Sequence, residues 1–319
     1  MEALRGKVAL VFPGQGSQFV GMGSVLYEQS AAARQVFDRA DEILGFPLSR
    51  LCFDGPGAEL EDTMNAQPAI LTVSVAALEA IRERAAAAGM TLQPSVVAGH
   101  SLGEFTALVA VGVMDFPAAL EVVRERGRLM KEAGDERPGG MAAVIGLDRE
   151  TLTDLCAEAE ADGVITVAND NCPGQTVISG ELGALQRAMD LAKAAGARRV
   201  ARLGISIASH SPLMERASQQ LGEALNRTPL RAPHAPVIAN GTGQAMHTVE
   251  EIRQELAHHV ERPVNWTRSV REMVEAGVTT FIEVGPGQVL SGLIRRIERE
   301  ATTLGLVDFG LSAGDKPAS

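Results

Sequence analysis

The sequence predicts an α/β fold, a large lobe of short parallel strands and helices interrupted by an inserted ferredoxin-like lobe. Three observations predict it. Short apolar strand candidates alternate with helical stretches from residue 7 to residue 133, the rhythm of a parallel sheet. From residue 141 to residue 203 the order becomes strand, helix, strand, strand, helix, strand, which is a split βαβ arrangement. At 319 residues the chain is also long for a single core, as two lobes would require.

Residues 7–12 read as a buried strand ended by Pro13 and Gly14. A helix is expected over 24–44. An Ala-rich helix is expected over 68–87, with Pro68 in its first turn, where proline is tolerated. A strand over 95–98, a helix over 102–111 and an amphipathic helix over 116–133 follow. Residues 134–140, with Gly134, Asp135, Pro138, Gly139 and Gly140, read as a hinge. Within the insert, strands are expected over 141–145, 164–168, 176–179 and 199–203. Its helices are expected over 148–161, with Asp148 as N-cap, and over 182–195, stopped by Gly196. Beyond it come a strand over 236–240 and a helix to about residue 260, opened by the Thr248/Glu251 capping box and closed off by Pro263. The remainder reads as a helix over 267–275, a strand over 279–284, the turn Gly285-Pro286-Gly287, a helix to residue 299, a strand over 304–307 and a disordered tail over 312–319. The large lobe is thus expected to comprise residues 1–136 and 207–319, and the insert residues 137–206.

Composition excludes several classes. A net charge of −11 and an aromatic content of 3% argue against nucleic-acid binding, which needs a basic footprint and stacking platforms. Cys52, Cys156 and Cys172 show no C-x-x-C spacing, so neither a disulfide framework nor a metal site is expected, and free thiols in a reducing compartment are. No apolar run approaches the ~18 residues of a membrane helix, and residues 8–12 read as strand rather than signal peptide. A cytoplasmic protein that meets no membrane and works as a monomer is expected.

Gly99-His100-Ser101-Leu102-Gly103 fits G-x-S-x-G between an expected strand and an expected helix, the context of a nucleophile elbow. Ser101 would sit exposed on a sharp turn, at a helix N-terminus that favours a developing oxyanion. The alternative is a tight turn whose serine caps the helix. A serine nucleophile needs a base. His100 adjoins Ser101 and points elsewhere on the turn, and His247, His258 and His259 fall in or near a surface helix. His210, within Ser209-His210-Ser211-Pro212, lies where the chain re-enters the large lobe. There it can face a cleft between lobes, or be a hydrogen-bonded loop residue.

On the 116–133 helix, at about 100° per residue, Ala119, Val122, Val123, Leu129 and Met130 form an apolar stripe, and Arg126 falls inside it. A buried guanidinium needs an anion. That anion is either an Asp or Glu of the chain or the carboxylate of a substrate, which the planar fork of arginine binds through two parallel hydrogen bonds. Gly14-Gln15-Gly16-Ser17-Gln18 is neither a P-loop nor a dinucleotide fingerprint. It is a loop of backbone amides at the carboxyl end of a strand, where sites on open α/β sheets form, or else a plain turn.

Together these segments resemble the malonyl-CoA:acyl carrier protein transacylase family over nearly the whole chain. The resemblance rests on Phe12-Pro13-Gly14-Gln15-Gly16-Ser17-Gln18, Gly99-His100-Ser101-Leu102-Gly103-Glu104, Arg126-Gly127, Asn171-Cys172-Pro173-Gly174-Gln175, Ser209-His210 and Glu283-Val284-Gly285-Pro286-Gly287, in that order. It implies an α/β-hydrolase-like large subdomain with a ferredoxin-like insert. It implies Ser101 as nucleophile, His210 as its base, Arg126 as the malonyl-carboxylate site, and Gln15 with the Leu102 amide as oxyanion hole. Malonyl-CoA and acyl carrier protein would be the substrates, with no cofactor and no metal, in fatty-acid synthesis. In the family a backbone carbonyl four positions before a Pro-Val pair orients the histidine. Here that position is His259, ahead of Pro263-Val264. Alternatives are another acyl group such as methylmalonyl, a polyketide pathway, a serine esterase or thioesterase, and a non-catalytic subunit that docks the carrier. An acidic enzyme meeting an acidic carrier is expected to carry a local basic patch, at Arg124, Arg128 and Lys131, at Arg198, Arg199 and Arg202, or at Arg295 and Arg296.

Overall fold

The computed structural model describes residues 6–314, which form two sheets. The chain opens with β1 (Lys7–Phe12), then α1 (Ser24–Gln29), α2 (Ala31–Leu44), α3 (Leu48–Asp54), α4 (Gly57–Glu61) and the long α5 (Thr63–Ala87). β2 (Val96–Gly99), α6 (Gly103–Ala110) and α7 (Phe116–Glu136) follow. The second sheet is built by β3 (Gly139–Ile145), α8 (Arg149–Ala159), β4 (Ile165–Cys172), β5 (Gln175–Glu181), α9 (Leu182–Ala194) and β6 (Arg199–Arg202). The chain returns through α10 (Glu215–Arg227), β7 (Val237–Ile238), β8 (Ala245–Met246), α11 (Val249–Leu256), α12 (Trp266–Glu275), β9 (Val278–Glu283), α13 (Val289–Ile297) and β10 (Thr302–Leu304).

The larger sheet has the order β10-β9-β1-β2-β7-β8. All its pairings are parallel except β7 with β8. β1 lies inside the sheet and alternates between two cores. Leu10 and Phe12 join the core with α5 and α6, and Ala9 and Val11 join the core with α12 and α13. Burial on both faces explains its unbroken apolar run. The smaller sheet is antiparallel in the order β4-β5-β3-β6, the strand order of the split βαβ motif. Helices α8 and α9 pack on one face of it over Ala142, Val144, Ile165 and Ile178. The small sheet is tied to the segment between α11 and α12, where Asp170 N–H donates to Val264 O (2.9 Å) and Val264 N–H to Ala168 O (2.8 Å).

Several expected elements differ in the structure, each for a local reason. The single helix over 24–44 is two, because Ser30 is extended (φ −127°) and caps α2 by accepting from Ala33 N–H at 3.1 Å. Helices α3 and α4 occupy a stretch for which the sequence predicts no element. Helix α5 starts at Thr63, capped by Asp62, so Pro68 lies inside it rather than in its first turn. Proline has no N–H for the Met64 carbonyl, and the Arg124 guanidinium donates to that carbonyl instead. By length and composition α5 could cross a membrane, contrary to the expectation, but it is mostly buried within the fold. The hinge over 134–140 shrinks to Arg137 and Pro138. Gly139 is a strand residue, and a Cβ there would lie 2.7 Å from both Ala208 Cβ and Gly180 O, so close approach rather than flexibility calls for glycine. The final strand is Thr302–Leu304, and Leu306–Phe309 is a 3₁₀ turn. Of the expected disordered tail, residues 312–314 are packed, with Ala313 buried and its carbonyl accepting from Gly23 N–H at 2.7 Å. Residues 315–319 lie outside the described residues.

Candidate active site

The register that pairs Phe12 with Gly99 brings the carboxyl ends of β1 and β2 side by side. The loop after β1 therefore lies against the elbow after β2. A Cβ at Gly14 would sit 2.3 Å from His100 O, one at Gly99 1.9 Å from Gly103 C, and one at Gly103 2.0 Å from Phe12 O. The glycines of the G-x-S-x-G motif are thus required by packing as well as by the turn. Ser101 adopts φ 49° and His210 φ 58°, the only non-glycine residues in the left-handed region among those described. Such conformations persist where surrounding bonds hold them. Asn240, just past β7, holds the elbow. Its Oδ1 accepts from Ser101 N–H (2.7 Å), and its Nδ2 donates to Gly99 O (2.8 Å) and to the Glu104 carboxyl.

Ser101 Oγ lies 2.8 Å from His210 Nε2, and His210 Nδ1 lies 2.9 Å from the carbonyl oxygen of Arg262. A carbonyl only accepts, so Nδ1 carries the proton and Nε2 presents its lone pair to the serine hydroxyl. The orienting carbonyl belongs to Arg262, not to His259 as the resemblance implied. Helix α11 ends at Leu256 rather than near residue 260, and the turn after it carries Glu261 N–H and Arg262 N–H onto His258 O. That turn points the Arg262 carbonyl at His210 and rolls the His259 side chain inward. His259 is accordingly not on a surface helix but buried (2% exposed). Its ring packs edge-on to Phe105, and its Nδ1 is 3.5 Å from Arg126 Nη2.

Arg126 is also buried, at 1% exposure. Gly127 lets α7 approach α5 closely, since a Cβ there would meet Thr63 O at 2.8 Å. The guanidinium donates from Nη1 to Gln67 Oε1 (2.6 Å) and from Nη2 to Ser101 Oγ (3.0 Å). Of the two partners open at the sequence level, the chain supplies no carboxylate within ion-pair distance among the described residues. Burial lowers the guanidinium to about 9, which leaves it charged at neutral pH. Burial, then the neighbouring His259 and Arg126, hold the His210 imidazole well below its ordinary 6.5.

Gln15 and Leu102 flank the serine. The Gln15 side chain accepts from Thr63 Oγ1 at 3.1 Å. Neither the Gln15 nor the Leu102 backbone N–H has an acceptor among the described residues, and Leu102 stands at the head of α6. Two free amides beside a serine hydroxyl can receive an oxyanion. A cleft of about 770 Å³ opens from Gln15 and Thr63 past Lys131 to the connector 203–207. Among the described residues no group of His, Cys, Asp and Glu is placed to hold a metal. Of the basic candidates, Arg128 pairs with Glu125 and Glu132, Lys131 with Asp62, and Arg124 is bound to Asn65 and the Met64 carbonyl. Arg198, Arg199 and Arg202 are exposed, with no ion pair among the described residues.

Asn240 and Gln67 carry no sequence signal that singles them out: one is a polar residue after a two-residue strand, the other a polar residue within an apolar helix. Glu104 stands in the elbow motif, but its complete burial is visible only in three dimensions.

A nucleophile elbow on a parallel sheet, with a histidine at its hydroxyl and a ferredoxin-like insert beside it, is the build of an acyl transferase domain, and residues 9–307 match that family. The Bacillus subtilis malonyl CoA-acyl carrier protein transacylase is 44% identical over 95% of this chain and 94% of its own length. The Escherichia coli K12 protein of the same name is 42% identical over 91% of this chain and 92% of its own. The Vibrio cholerae acyl carrier protein S-malonyltransferase superposes with a TM-score of 0.88, at 43% identity, covering 94% of this chain and 96% of its own. A malonyl-transacylase solved in complex with a type II PKS acyl-carrier protein superposes at 0.90, with 40% identity and coverage of 94% and 95%. The chain belongs to the malonyl CoA-acyl carrier protein transacylase family.

Proposed function

We infer that this chain transfers a malonyl group from malonyl-CoA to the phosphopantetheine thiol of acyl carrier protein in fatty-acid synthesis, with Ser101 carrying the acyl group between the two half-reactions. One observation carries this assignment: a single hydroxyl, Ser101 Oγ, lies 2.8 Å from the base His210 and 3.0 Å from the unpaired guanidinium of Arg126. His210 Nε2 takes the hydroxyl proton as Oγ bonds to the thioester carbon. The carbonyl electrons move onto oxygen, which the Gln15 and Leu102 amides receive. Collapse expels the coenzyme A sulfur, protonated by the imidazolium. The carrier thiol then enters the same cleft and reverses these steps. Arg126 binds the far carboxylate and fixes the acyl chain against rotation.

Residues 1–136 and 207–319 form the catalytic part in this assignment, and residues 137–206 form the insert, of which Leu203, Gly204, Ile205 and Ser206 line the cleft. Arg202, with Arg199 on the same strand and Arg198 just ahead of it, is the best placed of the basic candidates to meet the carrier, since it adjoins the connector that lines the cleft. The protein works in the cytoplasm as a monomer and needs no cofactor or metal. An esterase on the same elbow would have no use for a charged guanidinium against its nucleophile.

Intact mass after mixing with malonyl-CoA tests the assignment. A malonyl adduct on Ser101 that disappears on adding carrier protein, with the label recovered on the carrier, is expected. Rapid hydrolysis with an unlabelled carrier would make the chain an esterase, and no adduct at all would leave it a docking subunit. A second expectation concerns pH. Because the His210 proton affinity is depressed, the base stays neutral as pH falls through 6.5, where an ordinary imidazole protonates. The kcat/KM for malonyl-CoA should therefore stay level across that value. A half-maximal point at or above it would show His210 to be unperturbed.

A further inference from the structure

The partners of the buried Arg126 guanidinium are all uncharged: Gln67 Oε1, Ser101 Oγ, His259 Nδ1 and the Phe105 ring, 5.9 Å from Cζ to centroid. Its Nε has no partner at all among the described residues. A wholly buried carboxyl group, Glu104, nevertheless faces the same cluster from α6. His259 stands between the two, with Nδ1 3.5 Å from Arg126 and Nε2 3.5 Å from Glu104 Oε2. A nitrogen facing a guanidinium can only accept, so the His259 proton sits on Nε2, toward Glu104. Packing against Phe105, with centroids 5.1 Å apart at 73°, fixes the ring as a spacer.

We propose that His259 and Glu104 are positioning residues that reserve Arg126 for the carboxylate of the acyl group: the imidazole keeps the guanidinium and the Glu104 carboxyl from closing into an internal ion pair. This rests on Arg126 being the carboxylate site. The surroundings keep the device neutral at physiological pH. Glu104 Oε2 accepts from Asn240 N–H at 3.2 Å and from Asn240 Nδ2, while Oε1 has no partner among the described residues. Burial pushes this carboxyl up to about 8, against weaker opposing effects of Asn240 and Arg126. Glu255, which accepts from Gly241 N–H at 2.7 Å, is pushed up to about 7 by burial and then by Glu104. Burial, then Arg126, brings His259 down to about 3, so the ring is uncharged. His210 and His100 are likewise depressed by burial, and Arg262 acts on Glu255 from the far side. The sign follows. Below about 8 Glu104 is protonated and Arg126 is free for the ligand; as pH rises through that value Glu104 becomes an internal anion that competes for it.

The test is the ratio of kcat/KM for malonyl-CoA to that for acetyl-CoA, measured on the full chain from about pH 6 to about pH 8.5, below the value at which Arg126 itself would lose its charge. Using the ratio cancels His210 titration and global loss of fold. In the unmodified protein the ratio should fall about threefold toward the alkaline end. In Glu104→Gln it should stay level. In His259→Ala it should already be about tenfold lower at neutral pH, because Glu104 can then close on Arg126, and adding Glu104→Gln to that variant should restore it. A ratio indifferent to pH, a His259→Ala variant that slows both donors alike, or a double variant with no recovery would each overturn the proposal. The underlying assignment fails separately. If Arg126→Ala leaves the ratio unchanged, both ideas fall. If Arg126→Ala collapses the ratio while the Glu104 and His259 variants do nothing, only this one does.

Discussion

Replacing Ser101 with alanine is expected to slow malonyl transfer by on the order of 10⁴- to 10⁶-fold, the range seen when the central member of a nucleophile–base pair is removed. The size of the effect follows from the geometry. The hydroxyl is the one group that both accepts from Arg126 and faces His210 Nε2. Without it no covalent carrier of the acyl group exists, and the only remaining route is direct attack by the carrier thiol on malonyl-CoA. The Asn240 clamp on the backbone of residue 101 does not involve the hydroxyl, so the melting temperature should change little. Single-turnover transfer of labelled malonyl-CoA, with intact mass as the second readout, checks this. A variant within tenfold of the unmodified protein would remove Ser101 from the chemistry.

Arg126→Ala is expected to lower kcat/KM for malonyl-CoA by roughly 30- to 5,000-fold while affecting acetyl-CoA far less. Losing a desolvated, bidentate pair costs about 2–5 kcal/mol, and about 1.4 kcal/mol is a factor of ten in rate. Two effects combine. The carboxylate loses the charge that anchors it, and the anchored chain loses its orientation relative to Ser101. A third effect opposes them. Arg126 is among the charges that depress His210, so its removal makes the imidazole a stronger base. In the unmodified protein the arriving carboxylate does the same thing by neutralising Arg126, and the base is then strengthened only when the correct substrate is present. Equal losses for the two donors would show Arg126 to be a structural residue.

Much of this was legible in the sequence where chemistry and geometry are local. The elbow needs a strand, two glycines and a helix in succession, and all of these lie within β2 to α6. The strand order of the insert follows from its alternation of elements. Arg126 was visible as a charge inside an apolar stripe. What could not be read depends on contacts between distant segments. Pro68 signals a helix start by local rules, but Asp62 caps α5 earlier, and the carbonyl that the proline leaves free is taken up by Arg124, far along the chain on α7. The carbonyl that aims His210 lies three residues beyond the position implied by the resemblance, since the turn after Leu256 presents Arg262 and not His259. The burial of His259 and the clamp role of Asn240 come from the same return of residues 237–262 beneath the elbow, for which the sequence carries no periodic signal.

The tie between β4 and the segment at Val264 has a mechanical corollary. Val264 is bonded at both its N–H and its carbonyl to β4 of the small sheet, and it lies two residues after the carbonyl that steers the imidazole. Any jaw-like swing of the small lobe would tug that carbonyl away from His210 and disarm the serine. Substrates are therefore expected to thread in and out through the mouth of the gap while its walls stay still.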